Sequence, residues 1–168
     1  MNPLQLVIDV SALGTSGYRA GDWLRSHHQI DVHVCDHRWI SAQLTHADDT
    51  TTVGHPLNAL TELVAAGENL QPTPAMEMPD PAGLRLEQVR LPRDAFFGRT
   101  EEVPVDKASH RLAAEMLTPY PPGIPAALPG ERLNDDVLAY LRSGILAGMV
   151  LPDAANTELR SVRVAVEE

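Results

Sequence analysis

The sequence predicts a mixed fold of the α/β (α+β) class: a small βαββα subdomain, a proline-rich linker and a second small α+β domain. Three observations support this prediction. Short β-branched runs alternate with segments whose apolar residues recur at helical spacing. Eleven of the 14 prolines fall between positions 72 and 129, and proline interrupts helices and central strands. The 168 residues, 43% hydrophobic and 21% charged, suffice for one domain or two small ones.

The predicted βαββα subdomain covers residues 1–68. In chain order its predicted elements are a strand over 4–10, a helix over 17–28, strands over 30–35 and 39–45, and a helix over 51–66. The last helix follows Asp48 and Asp49, whose side chains suit an N-cap. Its apolar residues Val53, Leu57, Leu60 and Val64 are spaced four, three and four residues apart, which is the spacing of a helix.

The linker is predicted over residues 69–83 and the second domain over residues 84–168. The linker contains several prolines and almost no periodic apolar signal. The predicted elements after it are a short strand over 84–91, single helical turns at 94–97 and 106–110, a strand over 111–117, a helix from Asn134 to about Leu146, and a strand over 161–166. Residues 118–131 are too rich in proline for a regular helix.

Charge and composition exclude several classes of function. Thirteen basic and 23 acidic side chains give a net charge of −10, which disfavours sequence-independent binding to nucleic acid and a polybasic membrane contact. No apolar run is long enough to cross a bilayer, and the first residues do not resemble a signal peptide. Cys35 is the sole cysteine, so no internal disulfide can form. We therefore expect a cytoplasmic protein with no nucleic-acid or membrane partner.

Two local motifs invite a chemical interpretation. His33, Cys35 and His37 alternate along a predicted strand and are residue types that zinc prefers, but such side chains lie about 6.6 Å apart, which suits a polar strand face better than a metal site. A turn rich in glycine and serine at 13–17 precedes a helix and could attract a phosphate. It lacks the spacing of the known phosphate loops, so a tight strand-to-helix connection is the better explanation.

The proline run from Tyr120 to Pro129 is the most informative motif. Prolines at fixed intervals reduce the entropy of the unfolded chain, so the segment can hold a rigid, irregular path. Such a path can present a tyrosine, backbone carbonyls and a carboxylate at fixed positions, as lids and subunit contacts require. A polyproline ligand for a partner and a simple packing connector remain open as alternatives.

The chain resembles a known family in this region. Arg111-Leu-Ala-Ala-Glu115-Met-Leu-Thr-Pro119-Tyr-Pro-Pro-Gly-Ile-Pro125, followed by Pro129-Gly-Glu131, is similar to the C-terminal signature of the bacterial ornithine/lysine/arginine decarboxylases. The resemblance is strong over 84–148 and weaker over 4–66, where the chain is similar to the small domain of the same enzymes. It implies an aspartate-aminotransferase-like fold and a place in polyamine metabolism.

The resemblance also implies a cofactor that this chain does not hold by itself. The family enzymes bind pyridoxal phosphate covalently on a lysine of a large, earlier domain. Lys107 is the sole lysine here, and it lies in the part that resembles the C-terminal domain. We expect the chain alone to bind no cofactor and to be inactive, and to act with a large-domain polypeptide, by self-association, or both. The alternative is a non-catalytic binding or assembly module descended from the family. A metal-binding module at His33, Cys35 and His37 is a weaker one.

The resemblance indicates no catalytic or cofactor-binding residue in this chain, but it does indicate residues for the substrate entrance or dimer seam. These candidates are Tyr120, Pro121, Pro122, Gly123, Glu115, Glu131, His33 and Asp36. Two positions depart from the family pattern. His110 stands where the family commonly has glycine, so the turn must avoid a positive φ or reach it under strain. His33 stands near a family acidic residue that faces the distal amine of the substrate, and histidine attracts a cation less strongly.

Overall fold

A computed structural model describes residues 4–167 as two compact units, Met1–Pro74 and Ala75–Glu168. We call them the N-terminal and C-terminal units. The boundary falls inside the predicted linker, 69–83. Positions 1–3 and 168 of the predicted domains lie outside the described residues. Within the described part, no helix is both long and apolar enough to cross a membrane.

The N-terminal unit has the predicted βαββα order. Its elements are β1 (Gln5–Asp9), α1 (Gly17–His28), β2 (Val34–Cys35), β3 (Trp39–Gln43) and α2 (Thr50–Ala66), with short 3-10 turns at Ser11–Leu13 and Gly67–Asn69. The three strands form an antiparallel sheet in the order β1-β3-β2, and Ile8 lies opposite Ile40. The mixed helix–strand fold predicted from the sequence is confirmed.

Side-chain caps fix the ends of both helices. Ser16 caps α1 by accepting a hydrogen bond from the backbone N–H of Arg19. Asp49 caps α2 and forms a capping box with Thr52, as the acidic pair before this helix predicted. The helix α1 ends at Gln29, whose backbone is left-handed with φ 57°.

The spacing of Val53, Leu57, Leu60 and Val64 correctly predicted helix α2, but these four residues do not all face the core. Leu57 and Val64 are 58% and 63% exposed, whereas Ala59 and Leu63 are buried. Of the four residues, only Leu60 packs against the core. The helix carries two apolar stripes, and the stripe with the small Ala59 side chain faces inward, because a small residue lets the helix approach its neighbours closely. The core of this unit consists of Val10, Ala20, Leu24, Ile40, Ala59 and Leu63.

The strand predicted over 30–35 is shortened to Val34–Cys35. Strict alternation would place Cys35 on the face opposite Ile30 and Val32, but all three side chains pack against the same core. The chain bends at His33, whose backbone N–H donates to the carbonyl of Ser41. This bend interrupts the period of two on which the longer strand was predicted.

The C-terminal unit contains two small antiparallel sheets and one long helix. Its elements are β4 (Glu87–Gln88), α3 (Pro92–Phe97), β5 (Thr100–Pro104), a 3-10 turn (Val105–Lys107), β6 (Glu131–Arg132), α4 (Asp135–Ala147) and β7 (Ser161–Ala165). Strand β4 pairs with β6, and β5 pairs with β7. The predictions for α4 and β7 are confirmed, and Asn134 caps α4 as expected.

The strand predicted over 111–117 does not form. Leu112 bridges to Arg132, Ala113 bridges to Val164, and Leu117 bridges to Ala127, so the segment pairs residue by residue with three different neighbours. The apolar composition reflects burial between elements, since Leu112, Ala113, Ala114 and Leu117 are all buried. Strand β5 was missed because its two glutamates give no alternating apolar signal.

The proline-rich segment between the units is held by hydrogen bonds at both of its ends. Within the N-terminal unit, Thr73 Oγ1 accepts from the backbone N–H of Ser16, and the Thr73 N–H donates to the Gly14 carbonyl. Within the C-terminal unit, the Glu77 N–H donates to Ser143 Oγ, and Asn134 Nδ2 donates to the Gly83 carbonyl. Thr73 is therefore bonded within the N-terminal unit, and Glu77 and Gly83 are bonded within the C-terminal unit.

Candidate functional site

The proline run forms an exposed loop with a fixed base. Tyr120 and Val150 exchange two backbone hydrogen bonds, with N···O distances of 2.9 and 3.2 Å. Gly123 has φ +92° and donates its N–H to the Pro119 carbonyl, which closes the turn. The peptide bonds Tyr120–Pro121 and Pro121–Pro122 are cis. Tyr120, Ile124 and Val150 are 52%, 70% and 52% exposed, and we call these three side chains the Tyr120 surface.

The carboxylate of Glu115 is buried in the C-terminal unit and is bonded to the backbone. Only 2% of the residue is exposed. Its Oε1 accepts from the Arg163 N–H and its Oε2 from the Ala155 N–H, both at 2.6 Å. The side chain thus joins β7 to the loop that precedes it. A buried N–H group without a hydrogen-bond partner costs free energy. The Glu115 carboxylate provides the acceptor for both of these N–H groups.

Glu131 stabilises the far end of the proline loop. Its Oε2 accepts from the Leu128 N–H at 2.7 Å. The preceding residue, Gly130, has φ +86°, and a Cβ at this position would collide with the Arg90 carbonyl oxygen. The Pro-Gly-Glu motif therefore has a structural explanation, because only glycine allows both this conformation and this close approach.

His110 adopts the strained conformation that the sequence comparison raised as a possibility. Its φ is +64°, its N–H donates to the Leu133 carbonyl, and its own carbonyl accepts from Arg132. A residue with a Cβ is disfavoured in this left-handed region by about 1 kcal/mol or more. These hydrogen bonds hold the backbone in place, so the turn keeps the conformation that glycine would adopt freely.

The other two candidate residues, His33 and Asp36, lie in the N-terminal unit. Asp36 Oδ1 accepts from the N–H groups of Arg38 and Trp39 at 2.7 and 2.6 Å, so this side chain closes the turn between β2 and β3. His33 is exposed on the bend that precedes β2.

The two local motifs do not form the sites that they suggested. Among residues 4–167, no group of three His, Cys, Asp or Glu side chains is placed to hold a metal ion, so His33, Cys35 and His37 do not converge. Burial raises the pKa of the Cys35 thiol to about 11, which opposes formation of a nucleophilic thiolate. At the start of α1, the N–H of Ser16 is bonded to Thr73 and that of Tyr18 to Asp36, which leaves those amides unavailable to a phosphate.

The described residues do not form a site for pyridoxal phosphate. Such a site needs a lysine that is placed to bind the aldehyde carbon inside a pocket. Lys107 is exposed at the end of the Val105–Lys107 turn. The cavity beside this turn has a volume of about 490 Å³ and is lined by Val105 and Asp106 but not by Lys107. In the described part of the chain, Lys107 is therefore not placed to hold the cofactor in this cavity.

That cavity was not identified from the sequence. Its lining includes Asp135, Leu138, Ala139 and Arg142 of α4. The signal was present as a spacing of three, four and seven residues, which places these side chains on one helix face. Asp135 and Arg142 are exposed, Ala139 is half-buried and Leu138 is buried, so this face carries charged groups on either side of an apolar stretch.

Comparison with known proteins identifies the family. Residues 84–154 match the model of the Orn/Lys/Arg decarboxylase C-terminal domain. The chain is 32% identical to an arginine decarboxylase of Bacillus anthracis and 34% identical to one of Halalkalibacterium halodurans, in each case over 99% of this chain and 34% of the relative. It thus spans about a third of the length of these relatives. A 61-residue segment is 44% identical to the inducible lysine decarboxylase of Escherichia coli.

Solved structures show the same fold. The Francisella novicida lysine decarboxylase superposes with a TM-score of 0.66 at 16% identity, over 99% of this chain and 31% of that one. The constitutive lysine decarboxylase of Escherichia coli gives a TM-score of 0.64 over a similar share. The chain belongs to the Orn/Lys/Arg decarboxylase family, of which it carries the C-terminal part.

Proposed function

We propose that this chain completes and shields the active site of a pyridoxal-phosphate-dependent decarboxylase of basic amino acids. One observation carries the proposal: the chain aligns over 99% of its length with arginine decarboxylases but spans only 34% of them. The cofactor lysine would come from the large domain, in the same polypeptide or in a partner. When bound there, pyridoxal phosphate supplies an electron sink for the pair released as the α-carboxylate leaves as CO2.

In this proposal, the Tyr120 surface lines the substrate entrance or the dimer seam. Its apolar side chains stand on a backbone held by the Tyr120–Val150 hydrogen bonds and by the closed turn at Gly123. A preorganised apolar surface binds a partner with a smaller loss of conformational entropy than a mobile one. Glu131 fixes the far end of the loop through the Leu128 N–H, and Glu115 fixes Ala155 and Arg163 in the same unit.

The proposal also assigns roles to His33 and Asp36 and names the expected partners and compartment. His33 and Asp36 would contribute to the substrate side of the entrance, where histidine instead of an acidic residue weakens the attraction for a distal cation. The partners would be a large-domain polypeptide and a second copy of the chain, and the compartment would be the cytoplasm. The purified chain alone should neither bind the cofactor nor release CO2, which an absorbance scan and a CO2 assay would check.

A complementation assay tests the proposal. The purified chain is mixed with the arginine decarboxylase of Bacillus anthracis truncated before the third that this chain matches, in the presence of pyridoxal phosphate. CO2 release is then measured from L-arginine, L-lysine and L-ornithine. We expect activity above that of the truncated enzyme alone, with one of the three substrates preferred. Equal activity with and without the chain would contradict the proposal.

Two matched variants localise the effect. Ile124→Ser removes an exposed apolar side chain from the Tyr120 surface, and Val64→Ser makes a similar change on α2, where the residue is 63% exposed. Losing a buried apolar contact at an interface costs about 1–2 kcal/mol, so Ile124→Ser should raise the concentration of chain needed for half-maximal activity by about tenfold. Val64→Ser should leave it unchanged within about twofold.

A second candidate function is a non-catalytic assembly module. The observation in its favour is that the proline run presents an exposed apolar side chain, Ile124, which is 70% exposed. Exposed apolar surface of this kind is typical of protein interfaces. A pull-down with the tagged chain from extracts of its own cells separates the two: a partner that contains a pyridoxal-phosphate lysine supports the first proposal, and a partner without one supports the second.

A further inference from the structure

The cavity of about 490 Å³ in the C-terminal unit is lined by charged side chains that have no role in the proline-loop site described above. It lies between α4, the Val105–Lys107 turn and the segment that contains Glu77. Cavities of this volume are typical of sites for small molecules. Its long axis can be followed along α4, where Asp135, Ala139 and Arg142 line it in succession. Seven residues of helix separate Asp135 from Arg142, which corresponds to about 10 Å along the axis.

One end of the cavity is anionic. Asp135 lies in the first turn of α4, and Asp106 lies in the Val105–Lys107 turn. The hydrogen bond from the His110 N–H to the Leu133 carbonyl brings this turn beside the start of α4. Ser109 also lines the cavity, and its Oγ is buried without a hydrogen-bond partner. A buried hydroxyl without a partner costs free energy, so this oxygen is available to a polar group of a ligand.

The other end of the cavity carries one charge of each sign. Arg142 lies on α4. The backbone N–H of Glu77 donates to Ser143 Oγ, so Glu77 is held next to the residue that follows Arg142 on this helix. Among residues 4–167, the carboxylates of Glu77, Asp106 and Asp135 and the guanidinium of Arg142 take part in no hydrogen bond or ion pair. The charges of the cavity wall are therefore left for a ligand or for solvent.

The stretch between the two ends is apolar. Leu138, Ala139 and Val105 line it, and Leu138 is only 6% exposed. A ligand that matches the whole cavity has a carboxylate and an ammonium group at one end, a hydrocarbon chain in the middle and a cation at the other end. An extended basic amino acid measures about 7–9 Å from its carboxylate carbon to its side-chain cation, so it can reach charged groups near both ends of this stretch.

We propose that this cavity binds a free basic α-amino acid such as lysine or arginine. Its α-carboxylate pairs with Arg142, its α-ammonium with Glu77, and its side-chain cation with Asp135 and Asp106. The proposal rests on the charges and shape of this cavity and does not depend on the proposed function, because binding is measured on the isolated chain and needs no large domain.

Titration of the purified 168-residue chain with L-lysine and L-arginine, followed by amide NMR, tests the proposal. Shifts are expected at Ser109, Ala139 and Ser143. Two probes each lack one ligand group: L-norleucine has no side-chain cation, and 1,5-diaminopentane has no carboxylate. A charge-assisted hydrogen bond contributes about 1.5 kcal/mol or more, so each probe should bind at least about tenfold more weakly than L-lysine.

Matched substitutions connect binding to the cavity. Asp135→Asn should weaken L-lysine binding about tenfold, whereas Asp136→Asn should change it by less than about twofold, since Asp136 is also exposed in the same helical turn but does not line the cavity. Arg142→Gln should weaken L-lysine but leave 1,5-diaminopentane unchanged or bound more tightly. Retention of the wild-type NMR spectrum away from α4 shows that each variant is folded.

Three results would overturn the proposal. The first is the absence of saturable shifts with either amino acid. The second is equal affinity for L-norleucine and L-lysine, which would mean that the acidic end is not used. The third is an equal effect of Asp135→Asn and Asp136→Asn, which would show that the net charge of the helix terminus, not the cavity, attracts the ligand. None of these results depends on whether complementation of a decarboxylase succeeds.

Discussion

Replacement of Glu115 by glutamine tests whether a buried carboxylate holds the C-terminal unit together. The carboxylate accepts the N–H groups of Ala155 and Arg163 at 2.6 Å each, in a residue that is 2% exposed. Glutamine keeps one acceptor oxygen and turns an NH2 group toward the second amide. One charge-assisted hydrogen bond is lost, and one buried N–H is left without a partner. Together these effects should reduce the free energy of unfolding by about 2–3 kcal/mol.

The two units need different probes in this experiment. Trp23 and Trp39 both lie in the N-terminal unit, so tryptophan fluorescence reports on that unit and should not change. Hydrogen exchange at Ala114 and Ala165, whose N–H groups donate to the Arg163 and Leu112 carbonyls, reports on the C-terminal unit. A loss of about 2–3 kcal/mol should accelerate exchange at these amides roughly 30- to 150-fold.

Glu131→Gln is the matched control. Glu131 is half-buried and uses only Oε2, in a bond from the Leu128 N–H, so a glutamine carbonyl can replace it. Its cost should stay below about 1 kcal/mol. If the two variants have the same effect on exchange, or if Glu115→Gln changes it less than threefold, the carboxylate does not have the structural role argued for it.

Three further predictions follow from other parts of the structure. His110→Gly should stabilise the C-terminal unit by about 0.5 kcal/mol in urea unfolding followed by circular dichroism, because relief of the left-handed φ of +64° exceeds the added entropy of the unfolded chain; a loss of stability would contradict this. Gly17→Ala should destabilise the N-terminal unit by about 2–3 kcal/mol, because the added Cβ would collide with the Trp39 carbonyl oxygen. Gly54→Ala in α2 should stabilise the same unit by up to about 1 kcal/mol, because the added methyl group meets no atom. Urea unfolding followed by tryptophan fluorescence measures both effects. The Cys35 thiol, whose pKa burial raises to about 11, should react with a thiol reagent at pH 8 about a hundredfold more slowly in the native protein than in urea, and equal rates would show that it is accessible.

Helix ends could be predicted from the sequence because their signals are local. Asp49 and Asn134 each cap the helix they were expected to cap, through bonds to N–H groups within three residues. The order of strands and helices in the N-terminal unit also follows from local periodicity. These features depend on interactions between near neighbours in the chain, which are the same in any tertiary context.

The side of a helix that faces the core, and the segments with which a strand pairs, could not be predicted because both depend on residues that are distant in the sequence. The stripe of α2 with Leu57 and the stripe with Ala59 both have helical periodicity, and only the packing of the unit selects the second. Residues 111–117 have the composition of a strand but bond to three separate segments. In the cavity, Asp135 and Arg142 share a helix face, yet their relation to Glu77 and Asp106 exists only in the folded unit.

Besides the proline loop, the C-terminal unit has three unusual local features. His110 is held at a positive φ, Gly130 approaches the Arg90 carbonyl closely, and the carboxylate of Glu115 is buried. The positive φ of His110 costs free energy, whereas Gly130 has no Cβ to collide with the carbonyl and the Glu115 carboxylate accepts two backbone hydrogen bonds. The apolar side chains of Tyr120 and Ile124, which the loop presents, contribute little to this unit's own core because more than half of each is exposed. A rigid loop that presents apolar groups outward is what binding to a partner surface requires, and this is the physical reason for expecting Ile124→Ser to weaken complementation while Val64→Ser does not.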